Sequence, residues 1–328
     1  MKRVLLSVLN ITLLLVSSVY AADIIKVDGS STVFPITEAV AEDFGKEGGA
    51  KAMVGISGTG GGFKRFCRGE TDISDASRPI KASEVTLCRE GGVEYIELPV
   101  AYDGLTVIVN PKNNWVDHLT VKELKMIWEP EAQKKITRWN QIRADFPDEE
   151  IRLFGPGTDS GTFDYFTEAI NGKSGSSRGD YTASEDDNVL VEGVASEKEA
   201  LGYFGLAYYE KNKDRLKVVP IDDEKSSNGD GPITPSIETV MDNTYQPLAR
   251  PLFIYINVKS AGKEYVQKFV EYYLTHAAAL VEEVGYIPLQ DESYEAAVER
   301  FNKRTKGSVF AGGVKAGLSM ADMLKMEK

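Results

Sequence analysis

The chain has 328 residues, 42% hydrophobic and 27% charged, the balance of a folded globular protein and more than one ordinary core accommodates. Its formal charge of −12 excludes a nucleic-acid binder, whose partner requires a basic face, and opposes a small anion at long range. Any anion site must therefore be built from local amides, hydroxyls and dipoles.

The opening "MKRVLLSVLNITLLLVSSVYAADI" has Lys2 and Arg3, an apolar run over residues 4–16 and a small-residue exit at Ala21. This pattern predicts a secretory signal over residues 1–21, cleaved near Ala21, with no cysteine nearby to carry a lipid anchor. Residues 24–27 form a short β-like run, then Asp28-Gly29-Ser30-Ser31 and a helix with Pro35 in its first turn. That helix carries Ile36, Ala39, Val40 and Phe44 on one face. Residues 51–56 read as a second strand, followed by Ser57-Gly58-Thr59-Gly60-Gly61-Gly62 and a helix carrying Phe63, Phe66 and Cys67.

Residues 95–109 are long, apolar and β-branched, with Asp103-Gly104 interrupting their middle. A helix is expected within residues 119–128, with Thr120 as cap and Leu124, Ile127 and Trp128 inward. Residues 151–154 lead as a strand into "FGPGTDSGTFDYFTEAI", where Thr158 or Asp159 caps a helix or the turn holds an anion. Strands follow at 201–209, 216–221 and 251–258, and helices at 264–275 and 294–303, with 171–179 and 222–235 as exposed connections. Strands alternating with helices predict an α/β protein with largely parallel sheets. If the two long strands cross between lobes they form a hinge, with residues 22–103 plus 253–328 as lobe I and 104–252 as lobe II.

Cys67 and Cys88 are the two cysteines, and in an oxidising compartment such a pair is most simply a disulfide. On the loop-entropy model it contributes about 3 kcal/mol; two buried free thiols are the other reading. With no CxxC and only His118 and His276, a zinc site has no support, and both histidines read as surface residues.

Three loops share one chemistry: Ser30-Ser31-Thr32, Ser57-Gly58-Thr59-Gly60 and Thr158-Asp159-Ser160-Gly161-Thr162 each follow a β-like run and open a helix. A helix start presents unpaired N–H groups and the positive end of the dipole, to which hydroxyls add donors. In an open α/β sheet such loops gather at the carboxyl ends of the strands, where ligands bind. A phosphate-binding P-loop is absent, the dinucleotide glycine pattern fails at Phe63, and Gly-x-Ser-x-Gly fails on both sides of Ser160.

The runs "DGSSTVFPITEAVAEDF", "GISGTGGGFKRFCRGETDISDASRPI", "VAYDGLTVIVNPKN" and "GPGTDSGTFDYFTEAI" resemble the phosphate-binding subunit of bacterial ABC phosphate importers, in its secreted, cysteine-pair-bearing branch. The resemblance covers nearly all of the chain after the signal. It implies a two-lobed periplasmic-binding-protein-like fold of type II, each lobe a mostly parallel sheet flanked by helices, joined by two crossing strands. It further implies inorganic phosphate as ligand, a membrane permease as partner, a periplasmic monomer, no catalytic residue, no cofactor and no metal. Another oxyanion (sulfate, molybdate, a phosphate ester) or an exported phosphatase are the alternatives.

Carried over residue by residue, the phosphate contacts fall on Ser30, Ser31 and Thr32, on Ser57 and Thr59, and on Ser160, Gly161 and Thr162. Two positions depart from the family pattern: Pro156 stands where many members have arginine, and Ser77, followed by Arg78, stands where many have aspartate. Arg78 is then the expected compensating charge, its alternative being an exposed pair with Asp75 or Glu84. Monohydrogen phosphate carries a proton and sulfate does not, so a carboxylate acceptor discriminates between them. Asp103 or Asp75 is expected in that role, unless they are a turn residue and a solvated loop charge.

Overall fold

The computed structural model describes residues 23–158, 160–184, 186–310 and 320–325, so the expected signal and Asp159 lie outside the described residues. The strands are β1 (Ile24–Gly29), β2 (Lys51–Ile56), β3 (Ile73–Ala76), β4 (Tyr95–Val109), β5 (Leu119–Thr120) and β6 (Arg152–Pro156). They continue as β7 (Thr182–Ser184), β8 (Ala200–Gly205), β9 (Lys217–Val218), β10 (Ile221–Asp222), β11 (Ala249–Asn257) and β12 (Ile287–Pro288). β2, β1 and β3 pair in parallel, and β11 and then β4 extend that sheet antiparallel. A second sheet runs β4, β8, β6, β7, its last three strands parallel, and β5 pairs β10 separately.

β4 serves both sheets. Its residues Tyr95 to Gly104 pair with β11, and Leu105 to Val109 pair with β8. All fifteen residues are buried, which is what the apolar, β-branched run requires of a strand covered on both faces. β11 is the second strand at this junction, and its register sets Arg250 directly opposite Asp103. Asp103 and Gly104 therefore do not interrupt the strand, because the one charge is met across the ladder. The fold is thus α/β, two helix-flanked sheets joined through two strands.

The helices that matter for the site are α1 (Phe34–Lys46), α2 (Gly58–Cys67), α3 (Ala82–Glu90), α4 (Val121–Trp128) and α5 (Gly161–Asn171). α1 carries Pro35 in its first turn and buries Ile36, Val40 and Phe44, as its spacing predicts. α4 is closed by the Thr120/Glu123 capping box. α2 lies close on the sheet because Gly62 has no side chain: a Cβ there would stand 2.6 Å from the Gly29 Cα. Cys67 and Cys88 form a disulfide between α2 and α3. Removing a bond of this loop length costs about 3 kcal/mol on the entropy model.

Two expectations are corrected. The strand expected over 201–209 ends at Gly205, where its pairing with Leu105 stops, and a helix Leu206–Asn212 follows. The connection 222–235 is not simply exposed, since Ile221 and Ile233 form a bridge and Asn228 is buried. Among the described residues no helix is long and apolar enough to cross a membrane.

Candidate functional site

At the carboxyl ends of β1 and β3, facing α5 of the second sheet, lies a cavity of about 210 Å³. The first sheet contributes Ser30, Ser31 and Thr32 after β1, Gly58, Thr59 and Gly60 at the start of α2, and Ser77 and Arg78 after β3. The second contributes Asp164, Tyr165 and Glu168 from α5, and Ser174 beyond it. Lys81, at the N-cap of α3, and Arg250, from the joining strand β11, complete the wall.

The loops are held to one another. Ser30 donates its N–H to the Asp75 carbonyl at 3.0 Å, and its hydroxyl accepts from the Thr32 N–H at 3.2 Å. The Thr59 hydroxyl accepts from the Ser77 N–H at 3.2 Å and lies 3.1 Å from the Ser77 hydroxyl. Across the cavity, the Ser31 hydroxyl donates to Asp164 Oδ2 at 3.3 Å, and Thr32 Oγ1 donates to the Gly161 carbonyl at 3.4 Å. The two halves thus already touch at the start of α5. That contact needs a glycine, because a Cβ on Gly161 would stand 2.8 Å from the Thr32 Cα and 3.0 Å from its nitrogen.

Arg250 is foremost among the lining residues that sequence reasoning missed, with Lys81, Asp164, Glu168 and Ser174. Its Nη2 donates to Thr32 Oγ1 at 2.9 Å and to Asp103 Oδ2 at 3.2 Å, and its Nε to the same carboxylate oxygen at 3.3 Å. The guanidinium carbon lies 3.4 Å from the Tyr165 ring centre, a stacked cation–π contact. Tyr165 is in turn fixed by donating its hydroxyl to the Pro247 carbonyl at 2.7 Å. Arg250 therefore touches both joining strands, the first sheet's Ser30–Thr32 loop and the second sheet's helix. Asp103 is buried; burial raises its carboxyl pKa and Arg250 pulls it back only in part.

The other expected residues fall as follows. Arg78 lines the cavity, but both arms of its guanidinium bond Glu84 at 2.8 Å. Burial opposes its charge, and the Glu84 fork more than offsets that, so its pKa is raised. Ser57 is exposed and outside the lining; its hydroxyl donates to Asp28, which Arg65 also holds. Ser160 caps α5 by accepting from the Thr162 N–H, and neither residue is in the lining. Asp75 is fully buried on the sheet face opposite α2: Ser74 meets Gly62 of α2, and strand alternation turns Asp75 to the other side, by Thr37 and Tyr273. It does not line the cavity.

Chemically the cavity offers hydroxyls, helix-start amides, two guanidiniums, the Lys81 ammonium and the carboxylates of Asp164 and Glu168. His118 sits on Asp117 and His276 stacks on Tyr272, so neither supplies a base there. Among the described residues no cluster of His, Cys, Asp and Glu suits a metal ion. Its amides, hydroxyls and cations suit the binding and neutralising of an oxyanion.

Two α/β halves joined through two strands around a small, donor-rich cavity define a two-lobed binding protein. Residues 17–276 match the family model described as a PBP superfamily domain, and the chain belongs to that superfamily. It is 52% identical over 305 residues to protein SphX of Synechocystis sp., covering 92% of this chain and 89% of that protein. It is 37% identical over 287 residues to the phosphate-binding protein PstS of Staphylococcus haemolyticus, covering 86% of each. A crystal structure of a possible phosphate binding protein from Planctomyces limnophilus aligns with a TM-score of 0.83 and 46% identity, over 88% of this chain and all of that one.

Proposed function

We propose that the protein captures inorganic phosphate outside the cytoplasmic membrane and delivers it to an ABC-type import permease. The observation that carries this reading is the convergence of Ser30–Thr32, Thr59 and Ser77 from one sheet and α5 from the other on one cavity, bridged by Arg250. The relatives named for phosphate binding support it. Residues 22–103 with 253–328 and residues 104–252 act as the two lobes, and the protein works as a monomer with no catalytic step.

In this reading Ser30, Ser31, Thr32, Thr59 and Ser77 donate from lobe I, and the start of α5, Ser160 to Thr162, contributes its dipole from lobe II. Arg250 supplies the charge that Pro156 cannot, and Arg78 a second, weaker one because Glu84 already occupies its fork. Ser57 acts indirectly, anchoring the second loop to Asp28.

An anion panel tests the ligand. Phosphate is expected to raise the melting temperature well above sulfate, molybdate or glycerol phosphate at equal concentration, since ligand that binds only the native state stabilises it. A larger shift with one of the others reassigns the ligand, and turnover of a phosphate ester reassigns the class. Closure has its own test. Gly161→Val forces the Thr32 backbone away from α5 and is expected to weaken phosphate binding at least about tenfold, roughly 1.4 kcal/mol, with the ligand-free melting temperature little changed. Affinity within twofold of wild type would show that the bound state does not use this contact.

A further inference from the structure

Ser77 stands where the family resemblance leads one to expect aspartate, so in the phosphate reading a carboxylate that reads the phosphate proton comes from another position. Neither expected candidate is placed for it. Asp75 faces the opposite side of the first sheet, and Asp103 has its Oδ2 taken by two nitrogens of Arg250. The acids that line the cavity among the described residues are Asp164 and Glu168, four residues apart on one face of α5.

They are held differently. Asp164 Oδ1 accepts from the Ser174 hydroxyl at 2.8 Å, which fixes the carboxylate, while Oδ2 accepts from Ser31 at 3.3 Å. The second bond is long for a hydroxyl donor, whose usual distance is about 2.7–2.8 Å. Ser31 belongs to the loop that seats the anion, so turning its hydroxyl onto a phosphate oxygen leaves Oδ2 free to accept at the same place. Glu168 is exposed, makes no side-chain hydrogen bond to a described residue, and lies within charge range of Arg78. A fixed acceptor-only oxygen selects for a protonated ligand; a mobile one moves aside.

Building on the phosphate reading above, we propose that Asp164 is the specificity-determining acceptor of this site: it takes the hydrogen bond of the monohydrogen phosphate O–H and repels the fully ionised sulfate. Calorimetry of wild type, Asp164→Asn, Glu168→Gln and Ser31→Ala with inorganic phosphate and with sulfate tests it. In Asp164→Asn phosphate is expected to bind at least tenfold more weakly and sulfate more tightly, because the amide donates where the carboxylate accepted. Ser31→Ala is expected to weaken both anions and keep their ratio, since Asp164 remains. If Asp164→Asn strengthens both anions together, Asp164 contributes bulk charge alone and the proposal is overturned. It is equally overturned if the ratio stays within twofold of wild type, or if Glu168→Gln carries the loss instead. Wild type that binds no phosphate defeats the phosphate reading itself, which is a separate result from wild type that binds while its Asp164→Asn variant discriminates normally.

Discussion

Arg250→Ala is expected to weaken phosphate binding by at least about a hundredfold. Truncating one partner of a buried, hydrogen-bonded charge pair costs about 2–5 kcal/mol, and each 1.4 kcal/mol is about tenfold. Two effects add here. The anion loses the cation that bridges both lobes, and Asp103 is left buried and unpaired beside the incoming negative charge. Arg250→Lys is expected to fall between the two, because an ammonium keeps the charge without the fork or the stack on Tyr165. The double variant Asp103→Asn with Arg250→Ala is expected to recover part of the loss. Calorimetry with folded, ligand-free protein measures all three, and an Arg250→Ala affinity within threefold of wild type contradicts the assignment. Arg78→Ala is expected to cost less than Arg250→Ala, since Glu84 already engages both arms of that guanidinium.

The second large effect concerns stability. Asp75 is fully buried, and neither of its carboxylate oxygens has a hydrogen-bond partner. Burial pushes its carboxyl up to about 7, with the Thr37 hydroxyl, outside hydrogen-bond geometry, offsetting this only in part and the Asp28 carboxylate adding to it. Glu97, equally buried, instead receives Tyr255, Ser308 and two backbone N–H groups. A carboxyl whose pKa is raised in the folded state is protonated in both states below about pH 4, so it costs nothing there. As pH rises towards 7 the unfolded chain releases the proton and the folded one holds it, and stability falls by up to about 4 kcal/mol. Asp75→Asn is expected to remove this contribution, declining less steeply than wild type between pH 5 and 7. Denaturant unfolding at both values decides it. Parallel slopes in the two proteins would show that Asp75 does not titrate in this window.

Much of the fold is legible in the sequence because burial imposes a pattern. β4 and β11 are long apolar runs because both faces are covered, and α1 shows its buried face at helical spacing. β3 escapes because its four residues include Ser74 and Asp75, polar groups buried without any apolar period. α3 escapes for a related reason, burying little beyond Cys88. In the site, the loops after β1 and at the start of α2 are legible from hydroxyls and glycines preceding helices. Arg250 is not, since its role depends on a strand register that joins it to a residue 147 positions away. The available signal was a lone arginine, in "QPLARPLFIYI", at the mouth of an otherwise apolar strand. Ser57 shows the opposite limit: its motif is right for an anion loop, yet Asp28 and Arg65 are local partners that only the packing of α2 brings to it.

One phosphate is expected to bind between the lobes on neutral donors and Arg250. Isothermal titration of exhaustively dialysed wild-type protein with inorganic phosphate, and with sulfate as comparison, tests it most directly. The expected result is a single site per chain of micromolar or tighter affinity, at least about a hundredfold preferred over sulfate, a difference of roughly 2.7 kcal/mol. Absence of phosphate binding at millimolar concentration, or equal affinity for sulfate, would contradict it.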